Sequence, residues 1–233
     1  MPLFAWWQLC VGGLRRGLAG MAIGGVVATI IIAPFIFNGR LADLLTLPAH
    51  MAETQPVLSA QAHNLWWLVS GGTGLNFPDV TLLIGPVAYQ HVALLLLGAS
   101  ALVVFWRART AAPEAMLVMA AYQAFAWFCL STRAHENHWF FVLPLTALVL
   151  PADHRVFLVF IAVSVTGFTN LLLHDEHFGL GMARSLSGKV IVRASLVNCV
   201  FNLTVLAAWT AWLIRPSVFG RCSPGLRLQK SEA

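Results

Sequence analysis

The sequence predicts an all-α bundle of about six membrane-spanning helices, and three observations carry that reading. Apolar residues make up 59% of the chain and charged residues only 10%, with a mean hydropathy of +0.78. A soluble domain is nearer one quarter charged. The apolar residues also fall into stretches of the length a bilayer demands, roughly 20 residues each. Finally, no low-complexity linker, internal repeat or soluble domain interrupts the 233 residues, so one helical domain over 1–214 is expected, followed by a basic tail over 215–233.

In order, Phe4–Val11 is apolar but too short to span, and its tryptophans suit the membrane interface. The first span is expected at about 18–37, between Arg15-Arg16 and Asn38-Gly39-Arg40. A more polar segment follows. In it Leu41–Leu47 reads as a short amphipathic helix, Ala62–Val69 as an aromatic interfacial one, and Gly71–Gly74 and Asn76–Asp79 as turns. Further spans are expected at about 86–106, with Pro86 at the tolerated helix start, and at 113–129, 139–150, 156–173 and 190–214. The fourth of these is short. Either it takes in part of the preceding loop or protein surrounds it. Arg15 and Arg16 read as a topological anchor, and no cleavable leader is expected over Met1–Gly13.

The basic residues set the orientation. With Arg15 and Arg16 inside, six spans put nine Lys and Arg on that side and five on the other, the bias expected of a chain with both termini in the cytoplasm. The formal charge of +5 therefore reports topology, not affinity for nucleic acid. Cys10, Cys129, Cys199 and Cys222 are dispersed and make neither a disulfide framework nor a metal-ligand pattern.

Titratable residues collect at the outer end, above all in Ser131–Pro144, S-T-R-A-H-E-N-H-W-F-F-V-L-P. Ionisable groups at a membrane boundary are costly and tend to be functional. The plain account is that they cap helix ends and meet headgroups. Two histidines flanking Glu136, Arg133 before them and an aromatic anchor after them suit a lipid-linked phosphate instead. Arg133 offers a fork of donors, and His135 and His138 can each donate one hydrogen bond. A second cluster, His174-Asp175-Glu176-His177, could join His135 and His138 around zinc or manganese. A hydrated loop is the preferred reading, and neither a metal nor another cofactor is expected. Asp79 and His91 are read as loop and helix polarity without a task.

His135-Glu136-Asn137-His138 resembles the His-Glu loop of polyprenyl-phosphate-sugar-dependent glycosyltransferases of the GT-C class, H-E-K-H in dolichol-pathway glucosyltransferases and H-E-R-Y in bacterial relatives. Asn64-Leu65-Trp66 is similar to their Asn-x-Trp element, which lies in the outer loop two spans earlier. The order of elements looks like the C-terminal half of such an enzyme. The resemblance implies transfer of a hexose, mannose for example, from a polyprenyl-phosphate carrier at the outer face of a bacterial inner membrane. It places His135 beside the donor phosphate, oriented by Glu136, and makes Asn64 and Trp66 a sugar-binding pair. Read from physics alone, an interfacial aromatic helix is the favoured account of Asn64 and Trp66. No acidic residue matches the family's catalytic Asp in the first outer loop, so the catalytic residue is unassigned and a separately encoded N-terminal half is an expected partner. His63, outside the motif, is expected to matter little. The rival reading is a non-catalytic membrane subunit, or a metal-binding transporter using the outer His and acidic loops.

Overall fold

Inside a bilayer the backbone must satisfy its own hydrogen bonds, which favours helices wherever the chain crosses. A computed structural model describes residues 2–150, 153–174 and 186–215. Among these, α1 spans Pro2–Phe37, α2 Leu41–Thr54, α3 Leu65–Val69, α4 Tyr89–Ala108, α5 Pro113–Leu130, α6 Val142–Ala147, α7 His154–His174 and α8 Gly188–Ile214. The fold is the all-α bundle expected. Five helices, α1, α4, α5, α7 and α8, are long and apolar enough to cross a membrane.

The central helix is α5, with 56% of its apolar stretch buried against 0% in α1. Pro113 opens it, where the missing N–H costs nothing. Met116, Met119, Tyr122, Phe125 and Phe128 fill the core from it, and Tyr122 and Phe125 meet Trp209 of α8. The chain bends at Gly13, whose φ of 79° interrupts α1. Before the bend, Trp6 and Trp7 donate to the carbonyls of Phe105 and Ala111. Phe4–Val11 is thus the docked first arm of a longer helix. Beyond the bend, Ile23, Val26, Ile30, Ile31 and Phe37 are all exposed.

Three boundaries differ from expectation for local reasons. Residues 139–150 do not form a full span: a 3-10 turn, His138–Phe141, leads into the six-residue α6. The chain still returns to the opposite end of the bundle there, because α7 runs from His154 up to His174, which packs on His63 and Trp67. This short traverse packs on α5 and α7 through Val142, Thr146 and Val149, while Phe140, Phe141 and Leu148 stay exposed, so protein covers one side of it only. Pro86 does not start α4. It follows Gly85 (φ 54°) in the turn of a small hairpin, β1 Leu82–Ile84 and β2 Val87–Ala88. The imidazole of His91 then caps α4, its Nδ1 accepting from the Ala88 N–H at 3.0 Å, so His91 has a structural task. The tail over 216–233 and the residues Asp175, Glu176 and His177 lie outside the described residues.

Asn137 and Arg109 are both exposed, one after α5 and one after α4, at opposite ends of the bundle. In a cysteine-free background, Asn137→Cys should react with an impermeant thiol reagent from outside only, and Arg109→Cys from inside only. Labelling of both from one side would overturn the orientation expected from the Lys and Arg bias.

Candidate functional site

At the end of the bundle where α5 finishes, residues 55–79 fold over the helix ends as a cap. Pairing within the cap is irregular: Leu58 N–H bonds Phe77 O at 2.7 Å, and Asp79 N–H bonds Pro56 O at 2.9 Å. The cap is anchored from below by three amides. Asn170 of α7 accepts from His63 N–H at 2.9 Å and donates to Gln61 O at 2.8 Å. Asn202 of α8 donates to His63 O at 2.8 Å, and Asn198 donates to His63 Nδ1 at 2.7 Å and to Thr166 O at 2.9 Å. His63 is fully buried, and burial, with His174 beside it, pushes its imidazole well below the usual range. It is therefore a pinned part of the cap, not the indifferent outer residue the sequence suggested.

Asn64 and Trp66 stand at the end of α5. Asn64 caps α3, its Oδ1 accepting from Trp66 N–H and Trp67 N–H at 3.0 Å each, while its Nδ2 donates to Ser131 O at 3.1 Å. The Trp66 indole donates to Leu130 O at 2.7 Å. A helix end leaves carbonyls without partners, and these two side chains supply them. Both residues are at most 2% exposed. The resemblance implied a sugar-binding pair. In the fold they instead hold the strand of chain that leaves α5, one layer behind the cavity.

That strand, Ser131–His138, forms one wall of a cavity of about 450 Å³. Its polar end is made by Gln55, Asp79, Gln90, Thr132, Arg133, His135 and His138, and its apolar end by Ala93, Leu94 and Leu97 of α4 with Trp127 of α5. Leu94 and Trp127 are exposed on the lipid-facing side of their helices. The cavity therefore joins a polar pocket to the apolar belt.

Arg133 is the pivot. Its φ of 61° and the 60° of Gln61 are the left-handed conformations of non-glycine residues among the described chain, and the two segments lie side by side, with Ala60 N–H on Ala134 O at 2.9 Å and bridges from Ala60 and Gln61 to His135. Such a conformation costs on the order of 1–3 kcal/mol and persists where surroundings enforce it, commonly at functional sites. The backbone is held there by Arg133 N–H on Val57 O at 3.2 Å, and the side chain by Asp79. Arg133 Nε lies 2.7 Å from Asp79 Oδ2, and Nη2 donates to Oδ1 at 3.1 Å. Thr132 Oγ1 donates to Oδ2 at 3.0 Å, and Gln90 Oε1 takes a longer bond of 3.4 Å from Nη2. The Asp79 carboxylate is 0% exposed, the Arg133 side chain 29%. The pair uses the Nε and Nη2 side of the guanidinium, leaving the Nη1 edge for a ligand.

His135 and His138 complete the polar end. His138 Nδ1 accepts from the His135 N–H at 3.0 Å, so in the neutral ring Nε2 carries the proton and is a donor. Burial, then His135, holds the His138 imidazole below its ordinary range, which keeps it neutral at pH 7. Its ring lies 4.8 Å from Trp127 and 5.3 Å from His135. His135 Nε2 meets Gln55 Oε1, an oxygen that can only accept, so this nitrogen too is a donor. Glu136 Oε2 lies 3.9 Å from His135 Nδ1, beyond a hydrogen bond.

The fold thus brings Arg133, His135 and His138 together, with Glu136 at the rim. It adds Asp79, Gln55, Gln90, Thr132 and Trp127, which the sequence reading left without a task. One signal was present for Asp79: it is the sole carboxylate between Glu53 and Glu114, and a buried carboxylate requires a cation. Among the described residues, no three of His, Cys, Asp or Glu converge as metal ligands. Comparison with models of known protein families, with curated proteins and with solved structures finds no match to this chain.

Proposed function

We propose that the chain is a membrane glycosyltransferase, or the C-terminal part of one, that moves a hexose such as mannose from a polyprenyl-phosphate carrier to an acceptor at the outer face. The observation carrying this reading is the composition of the cavity. Hydrogen-bond donors on Arg133, His135 and His138 face one end, and Leu94, Leu97 and Trp127 continue into the lipid-facing surface at the other. That suits an amphipathic ligand whose phosphate sits at the interface while its chain stays in the membrane. Because Asp79 already balances the arginine, the phosphate is met by oriented N–H dipoles and not by a bare cation. Donors fixed before the reaction can stabilise charge that develops on a leaving phosphate without reorganising. Gln55 would yield its contact with His135 to the ligand.

A second reading follows from Asp79. Among the described residues it is the sole carboxylate lining the cavity, and Arg133 and Thr132 engage it. A subunit that holds the carrier while another polypeptide supplies the base fits equally.

His135 tests both. A hydrogen bond to a charged group is worth about 1.5–3 kcal/mol, roughly 10- to 150-fold in an equilibrium or rate constant. His135→Ala should weaken binding of a short-chain polyprenyl phosphate in detergent by that factor. In reconstituted membranes, transfer from a radiolabelled polyprenyl-phosphate hexose should slow equally, with little change in the Michaelis constant for acceptor. Glu136→Gln should act the same way but more weakly. Carrier binding without transfer selects the subunit reading, and unchanged binding by His135→Ala removes both.

A further inference from the structure

At the other end of the bundle α7 and α8 diverge around a second groove of about 300 Å³. Its walls are apolar. Ala162 on α7 and Ala208 on α8 keep it open, Leu158 and Val205 line its flanks, and Trp209 and Trp212 close its inner side. Among the described residues lining it the single charge is Arg155, which is exposed, with its guanidinium 5.9 Å from the ring centre of Trp212. Residues 155 to 162 rise along α7 by about 10 Å, so an apolar channel of that depth begins directly beside a cation.

Cations are in excess around the groove. At this end, the described termini of α4, α5, α7 and α8 carry Arg107, Arg109, Arg155 and Arg215 against Glu114 and Asp153. At the opposite end stand Arg40, Arg133, Lys189 and Arg193, of which Arg40 and Arg133 are ion-paired with Asp43 and Asp79. Arg155 also stands in the first turn of α7, where the helix dipole disfavours a cation. Asp153 answers the backbone there, its Oδ1 accepting from Arg155 N–H at 2.8 Å, and the guanidinium reaches instead to α8.

We infer that this groove is a binding site for one acidic glycerophospholipid, its phosphate against Arg155 and an acyl chain between α7 and α8. The site is independent of the reading proposed for the cavity. Apolar walls alone would accept any lipid. Arg155 at the mouth, in a cluster with cations in excess, selects an anionic headgroup, and the guanidinium's planar fork suits a phosphodiester.

The test uses delipidated protein in an uncharged detergent, titrated with phosphatidylglycerol or phosphatidylcholine brominated at mid-chain. Trp209 and Trp212 report by quenching of their fluorescence. A basic residue near an anionic headgroup favours it by roughly five-fold, so the half-saturating concentration of phosphatidylglycerol should be about five-fold lower. Arg155→Gln should bring the two lipids together. Ala162→Phe, which fills the groove, should weaken quenching by both. Ala208→Leu serves as a second filling variant should Ala162→Phe lose its helical circular dichroism. Equal affinities for the two lipids in the wild type would overturn the site. So would a preference that survives Arg155→Gln, because it would then belong to the other arginines, or tight quenching that survives both filling variants.

Discussion

Replacing Arg133 with leucine should be among the most destabilising single changes in this protein, at about 3–5 kcal/mol. The cost arises on the partner. Asp79 is 0% exposed, and without the guanidinium its carboxylate keeps only Thr132 Oγ1 as a side-chain donor. Asp79→Leu should cost less, because Arg133 is 29% exposed and its freed head can turn to water. The double variant Asp79→Leu/Arg133→Leu should be more stable than Arg133→Leu alone, since replacing both members of a buried pair with apolar residues is often neutral. Thermal unfolding of the four proteins in one detergent gives the coupling. A coupling below about 0.5 kcal/mol, the limit within which independent sites add, would show that the pair does not hold the cap to the α5 exit. Arg133→Gly separates backbone from charge: it relieves the left-handed strain at φ 61° but still strands Asp79, so it should recover only a small part of the loss.

The same pair shows where reading the sequence stops. Apolar lengths located the five long helices, because spanning a bilayer is a one-dimensional requirement, but they also counted 139–150 as a sixth span, where the chain forms a 3-10 turn and the six-residue α6. Pro113 marked the start of α5 correctly since a helix start is a local event. Pro86 misled for an equally local reason. Preceded by Gly85 at φ 54°, it belongs to a hairpin turn, and hydropathy does not register a turn. The contact of Asp79 with Arg133 bridges 54 positions, and nothing in either neighbourhood announces the other. Asn64 and Trp66 illustrate a third case. Asn before an apolar run is a helix N-cap signal, so the local task was legible. Which carbonyls the amide and the indole would reach, Ser131 and Leu130, depends on how the cap packs. The His-Glu stretch was legible as a polar cluster at a helix exit. That it lines a cavity continuous with the lipid-facing side of α4 was not, because residues 93–97 read as ordinary membrane helix.

Gly167→Val should displace the wall of that cavity without touching it. Gly167 lies in α7, and a Cβ there would fall 2.2 Å from Cε2 of the Trp139 indole, with two further ring atoms within 2.4 Å. No side chain fits at that distance, and Trp139 has little room to move: it is 4% exposed and stacked on Phe140 at 4.4 Å. Overpacking of a core typically costs about 1–3 kcal/mol, occasionally more, and a branched residue against a rigid ring belongs at the upper end. Trp139 follows His138 directly, so the shift should carry into the His135–His138 turn. Binding of a polyprenyl phosphate should fall along with stability. Gly167→Ala should show the same effects at smaller size. The control is Gly98→Ala in α4, where nothing lies within 4 Å of the added atom. It should be neutral, or gain up to about 1 kcal/mol from helix propensity. Equal melting points for Gly167→Val and the wild type would mean that α7 and the loop are not packed as described. A Gly167→Val protein that unfolds earlier but binds the carrier normally would break the link from Trp139 to the histidines and leave the packing intact.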